Sequence, residues 1–273
     1  MDLGTRRNFL RDLGVGTVGL AAERGQGAQM PGQPRATDAE RKANAPSDIM
    51  AIAAHPGDAF FTMGAAVAVE IQLGAKAVFL SLSLGEKGSA TIAPIEYGKL
   101  QQTASERAAH MLGAQAAFLD YRDGEIPASE EAKLAVCDLI REHKPAIVVT
   151  HWHGSWHKDH RACHAIVSDG VFYAGLPALD RKLPAHAVER IFFAENWEDA
   201  EGFEPDTFLD ITPVFERWSE ACAAFPMWRG ETGFRYNDYY RSLAVCRGCL
   251  GRSHYAVALM SAPEERTQHV QAL

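Results

Sequence analysis

The sequence predicts an α/β domain built on a Rossmann-like parallel sheet with helices on both faces. Short apolar runs rich in β-formers alternate with longer segments of helical spacing, the pattern of a parallel sheet covered on both sides. Gly or Pro closes several of the helical segments. Polar and ionisable clusters directly follow four of the strand runs. In open α/β sheets the ligand crevice lies beyond the carboxyl ends of the strands, so these clusters share one edge.

Residues 48–54 (DIMAIAA) are a short apolar run and read as a buried strand. Residues 63–73 are apolar with helical spacing and stop at Gly74. Residues 77–84 give the second strand. Residues 96–112 give a helix stopped by Gly113, 116–121 a third strand, and 129–143 an amphipathic helix closed by Pro145. Residues 146–150 (AIVVT) are the fourth strand and 158–173 the helix after it. Residues 190–194 and 207–211 are further strands. Pro213 opens a helix to residue 224, since proline suits a first helical turn. There is no internal repeat and no second linker, which predicts one domain over residues 47–265.

The chain has 273 residues, 47% of them hydrophobic and 23% charged, enough apolar material to bury a sizeable core. A net charge of -8 with no basic stripe excludes general nucleic-acid binding, which needs clustered Lys and Arg. The five cysteines do not make a disulfide framework in a chain this long. Cys246 and Cys249 form a lone C-x-x-C that reads first as two ordinary helix cysteines.

Residues 5–11 (TRRNFLR) resemble a twin-arginine export signal, and a Gly-rich apolar run follows over 13–22. That run is too short to span a bilayer as a mature helix. The expected organisation is a signal segment over 1–22, a disordered linker over 23–46 rich in Gly, Pro, Gln and charge, and export to the periplasm or beyond, with no membrane span in the mature form.

His55 and Asp58 stand three residues apart at the turn after the first strand. His157, Lys158, Asp159 and His160 open the helix after the fourth. Two imidazoles and one carboxylate from these turns can meet at a single ion and leave one tetrahedral position open, as catalytic zinc sites do. His55, Asp58 and His160 are the expected metal ligands, with zinc the expected metal and iron or nickel the alternatives. The competing reading makes Asp58 a helix N-cap and His55 a turn residue.

The chain also resembles the PIG-L/LmbE-like de-N-acetylases. Their A-H-P-D-D-E signature is matched by Ala54-His55-Pro56-Gly57-Asp58-Ala59, and their H-P-D-H by His157-Lys158-Asp159-His160. Gly85-Glu86-Lys87-Gly88, Asp123-Gly124, Leu209-Asp210-Ile211-Thr212, Arg247-Gly248 and His254-Tyr255-Ala256 follow in the family's order. The resemblance implies a Rossmann-like fold, a zinc ion held by His55, Asp58 and His160, and removal of an acetyl group from an N-acetylated amino sugar or related amide. It implies that His157 steadies the charged tetrahedral intermediate. The family's general-base Asp is replaced by Gly57, and its following acidic residue by Ala59. Either Asp159 or Glu86 serves as base, or zinc acts with little help, or the protein is a catalytically weak metal- and glycan-binding protein.

Asp159 reads as a base, as a carboxylate orienting a metal-bound histidine, or as a first-turn acid favoured by the helix dipole. Glu86, Asp123 and Trp197 are the expected substrate contacts; Glu86 also reads as a solvated turn residue and Asp123 as a turn former. Trp152 and Trp156 suit a sugar face or simple packing. His151, His153 and His164 enrich the same stretch without a clear ligand role.

Overall fold

A computed structural model describes residues 47–199 and 201–263. The sheet has seven strands in the order β3-β2-β1-β4-β5-β7-β6. They are β1 (Ile49–Ala53), β2 (Ala77–Ser83), β3 (Gln115–Tyr121), β4 (Ile147–His151), β5 (Arg190–Ala194), β6 (Thr207–Asp210) and β7 (Ala256–Ser261). Strands β1 to β5 pair in parallel, as the alternating pattern predicts. The sheet is nevertheless mixed: β7 lies antiparallel to both β5 and β6.

The helices are α1 (Pro56–Phe61), α2 (Gly64–Leu73), α3 (Pro94–Leu112), α4 (Glu130–His143), α5 (Lys158–Ala174), α6 (Phe215–Cys222) and α7 (Tyr236–Gly251), with a 3₁₀ turn at Pro226–Arg229. Alternate residues of β1 face opposite sides, the two-residue period of a strand. Ile49, Ala51 and Ala53 join a core with Phe60, Ala65, Leu112, Trp218 and Tyr240, drawn from α1, α2, α3, α6 and α7. Met50 and Ile52 join the opposite core with Val136, Ile140 and Ile166 of α4 and α5. Helices therefore cover both faces, as expected.

Four elements depart from the sequence reading. The turn after β1 is itself a helix, α1, with proline in its first turn. The last predicted helix is shorter, confined to α6. Helix α7 and strand β7 were not foreseen, and β7 makes the sheet mixed. Cys246 and Cys249 are free and exposed on α7, two ordinary helix cysteines. The expected signal segment and the whole expected linker lie outside the described residues.

Candidate metal and substrate site

The first and fourth strands end side by side, since β1 pairs with β4. Their carboxyl ends deliver the His55 turn and the segment leading into α5 to one place. His55 is the residue preceding α1, and Asp58 lies in that helix's first turn. Asp58 is not an N-cap; its carboxylate turns inward. One oxygen, Oδ2, lies 3.1 Å from His55 Nδ1 and 3.1 Å from His160 Nε2. Asp58 Oδ2 thus links the two expected imidazole ligands.

Each imidazole's second nitrogen meets a carboxylate. His55 Nε2 lies 3.1 Å from Asp123 Oδ1 and 3.3 Å from Asp159 Oδ2. His160 Nδ1 lies 3.1 Å from Glu198 Oε2 and 3.3 Å from Ser155 Oγ. Metal-bound histidines characteristically donate their other N–H to a carboxylate, which fixes the tautomer and ring plane. The donor set of two imidazole nitrogens and one carboxylate oxygen, backed in this way, fits a borderline-soft divalent ion. Three overlapping groups of possible ligands occur among the described residues: His55 with His157 and His160, Asp58 with His151 and His160, and His55 with Asp123 and Asp159.

The electrostatics follow from this packing. Burial alone would lower the His55 pKa, but the carboxylates of Asp123, Asp159 and Asp58 outweigh it and hold it well above the ordinary value. Asp58 is held well below its usual range: burial opposes this, and His160 overrides it. Burial pushes His157 down to about 4, aided by the charges of His160 and His55. Burial raises Glu198 to about 8, with the Asp58 charge adding to it.

His157 is the N-cap of α5, its Nδ1 accepting the Asp159 N–H at 3.2 Å. In the neutral ring the proton is then on Nε2. Asp159 is fully buried. Its Oδ2 accepts the Gly124 N–H at 2.6 Å and lies against His55, so it stands behind that ring on the side away from Asp58. This is the place of an orienting carboxylate rather than of a base acting beside Asp58.

The cavity in front of these groups is about 150 Å³. Its ionisable lining is His55, Asp58, Asp123, His157, His160 and Glu198; the remaining lining includes Gly57, Phe61, Met227, Trp197, Tyr236, Tyr97 and Gln101. Two expected substrate contacts, Asp123 and Trp197, line it. The third, Glu86, does not; its carboxylate accepts the Asp123 N–H at 3.0 Å and braces that loop instead.

Trp197 stacks on Phe234 at 4.5 Å, and Trp156 stands edge-on to Trp197. Trp152 is packing: its indole N–H donates to the Glu201 carbonyl. His151 accepts the Ala54 N–H through Nε2 and stacks on His160 at 4.0 Å. His164 is bound to the His151 carbonyl, and His153 packs on Trp152.

Glu198, Met227, Tyr236, Tyr97 and Gln101 were not anticipated. Glu198 had a usable signal, because Glu195-Asn196-Trp197-Glu198 follows β5 as the other polar clusters follow their strands. Tyr97 Oη and Gln101 Oε1 are buried in the wall without a hydrogen-bond partner among the described residues.

Residues 50–171 match the family of the GlcNAc-PI de-N-acetylases, PIG-L. The chain carries a PIG-L domain. It is 24% identical over 234 residues to the diacetylchitobiose deacetylase of Thermococcus kodakarensis, covering 79% of this chain and 83% of that one. It is 26% identical over 235 residues to the 4-oxalmesaconate hydratase of Pseudomonas putida, covering 80% and 86%. Among solved structures, the 4-carboxy-2-hydroxymuconate hydratase GalB of Pseudomonas putida shares the fold, with a TM-score of 0.74 at 21% identity over 82% of this chain and 99% of that one. This PIG-L domain therefore has relatives named for amide cleavage and relatives named for hydration.

Proposed function

We propose that this PIG-L chain is a zinc-dependent amide hydrolase that removes an acetyl group from an N-acetylated amino sugar. The observation that carries the reading is the shared Asp58 oxygen between His55 and His160, each ring backed by a carboxylate. A divalent ion held by these three would supply Lewis acidity toward the amide carbonyl and a lowered pKa for water. The protein's own part is positional. His157, neutral and carrying its proton on Nε2, donates to the oxygen on which charge develops. Trp197 and Tyr236 present aromatic faces to a sugar ring, and Asp123 accepts from a hydroxyl. Asp159 keeps His55 turned toward the ion.

A hydratase reading is favoured by the relatives of that name. Against it, the cavity wall holds no Lys or Arg among the described residues to pair with a carboxylate-rich substrate. One screen separates the readings. Metal analysis of the purified protein is paired with acetate release from N-acetylglucosamine and diacetylchitobiose and with hydration of an unsaturated dicarboxylate. Acetate release by the zinc form, falling about 10²-fold in His157→Gln at unchanged metal content, is the expected result. Hydration without acetate release would transfer the assignment. Zinc binding with neither reaction would leave a metal- and glycan-binding role.

We also propose export through the twin-arginine route, on the strength of Arg6-Arg7-Asn8-Phe9-Leu10. Changing Arg6 and Arg7 to Lys is expected to retain the protein in the cytoplasm, read by cell fractionation. Normal yield outside the cytoplasm would remove the proposal.

A further inference from the structure

Gly57 stands where the family pattern has its base, and its backbone does not require glycine, since it is absent from the glycines with positive φ. Space explains it instead. A Cβ at this position would stand 3.0 Å from Met227 Sδ and 3.2 Å from Phe61 Cε2. The room over the Gly57 Cα is taken by a thioether and an aromatic edge. Met227 reaches in from the 3₁₀ turn, where Gln101 Nε2 donates weakly to its sulfur at 3.6 Å. Behind it, Phe61 packs on Trp228 at 4.9 Å and on Tyr236 at 5.3 Å. This makes a fixed aromatic backing with one flexible side chain in front.

The apolar part of the lining therefore begins one residue from Asp58, while the rest carries the ionisable groups. An amide has the same two kinds of surface. Its carbonyl seeks the ionisable groups, and the hydrocarbon of its acyl group can be desolvated against the apolar part without leaving a polar group unpaired. We propose that Gly57, Phe61 and Met227 form the acyl-binding wall and that Met227 sets the acyl chain length the site accepts. The proposal rests on the amide-hydrolase reading above and deepens it. Methionine suits the role because its unbranched thioether adapts to irregular gaps. Each methylene buried against such a wall improves binding about 4-fold.

The test uses the full chain loaded with zinc and straight-chain hydroxamic acids from acetyl to hexanoyl, which chelate the metal and carry their alkyl chain as an acyl group would. Calorimetry on the wild type is expected to favour the shortest chains. Met227→Ala is expected to move the optimum to longer chains and to raise the butanoyl-to-acetyl affinity ratio by about 10-fold, the equivalent of one to two methylenes. Met227→Val, which removes less volume, serves if the alanine variant fails to fold and should give a smaller shift in the same direction.

An unchanged ratio in folded, zinc-loaded variants overturns the proposal, whatever the enzyme hydrolyses. A wild type that loads zinc yet binds no hydroxamate overturns it together with the metal-centred reading. The predicted shift without acid release from N-acylglucosamines leaves the acyl wall standing and removes only the sugar substrate.

Discussion

His160→Ala is expected to leave the purified protein nearly metal-free by elemental analysis, and His55→Ala to do the same. His160 is almost fully buried and joins Asp58 on one nitrogen to Glu198 and Ser155 on the other. Truncation removes a ligand and also strands the Glu198 carboxyl in the wall. The neighbouring carboxylate gives a calibration. Asp159→Asn removes only an orienting partner of His55, a change that typically costs about 10- to 100-fold in metal affinity. The two alanine variants should exceed that loss, and competition with a graded series of chelators would rank all three. A full metal complement in His160→Ala would remove the proposed centre.

Gly57→Asp is expected to give little gain in turnover by itself and a large one when combined with Met227→Ala. The new Cβ needs room that the thioether and the Phe61 edge occupy, so the single variant must push Met227 aside. The backbone is no obstacle, because the φ of Gly57 lies outside the left-handed region. With the sulfur removed, a carboxylate next to Asp58 can accept a proton, and a restored base is worth about 10²-fold or more. Acetate release under saturating zinc measures both variants. Equal activity in wild type, single and double variants would mean that proton transfer already has another acceptor. Asp123 and Glu198 are the remaining carboxylates of the wall to test.

Much of the centre was legible because its residues sit at strand ends. Strands β1, β2 and β4 are buried on both faces, and each reads as a mainly apolar run whose end is marked by the polar residues after it. His55, Asp58, His157 and His160 fall at those ends. The rest of the lining was not legible. Phe61, Gln101, Met227 and Tyr236 come from three helices and a 3₁₀ turn, and none carries a sequence signal until the fold brings it to the cavity lined by His55, Asp58 and His160. Asp159 could be narrowed down only by geometry, since spacing does not say on which side of His55 a carboxylate stands. Strand β7 was missed because it follows α7 without entering the parallel alternation that identified the others.

The position of β7 bears on how the chain is completed. Among the described residues β6 pairs only with β7, which slots between β5 and β6 although it follows both in the chain. As the polypeptide leaves the ribosome, the five parallel strands can assemble while the β5 edge stays open and β6 waits without a partner. Only when residues 256–261 emerge does the sheet close. A strand inserted into the sheet rather than added at its rim delays the cooperative unit until that strand is made, with an unpaired edge exposed until then. Truncations that remove residues 256–261 should therefore act as folding lesions, trapping aggregation-prone chains in which the turns carrying His55 and His160 are already synthesised but the sheet that supports them is incomplete.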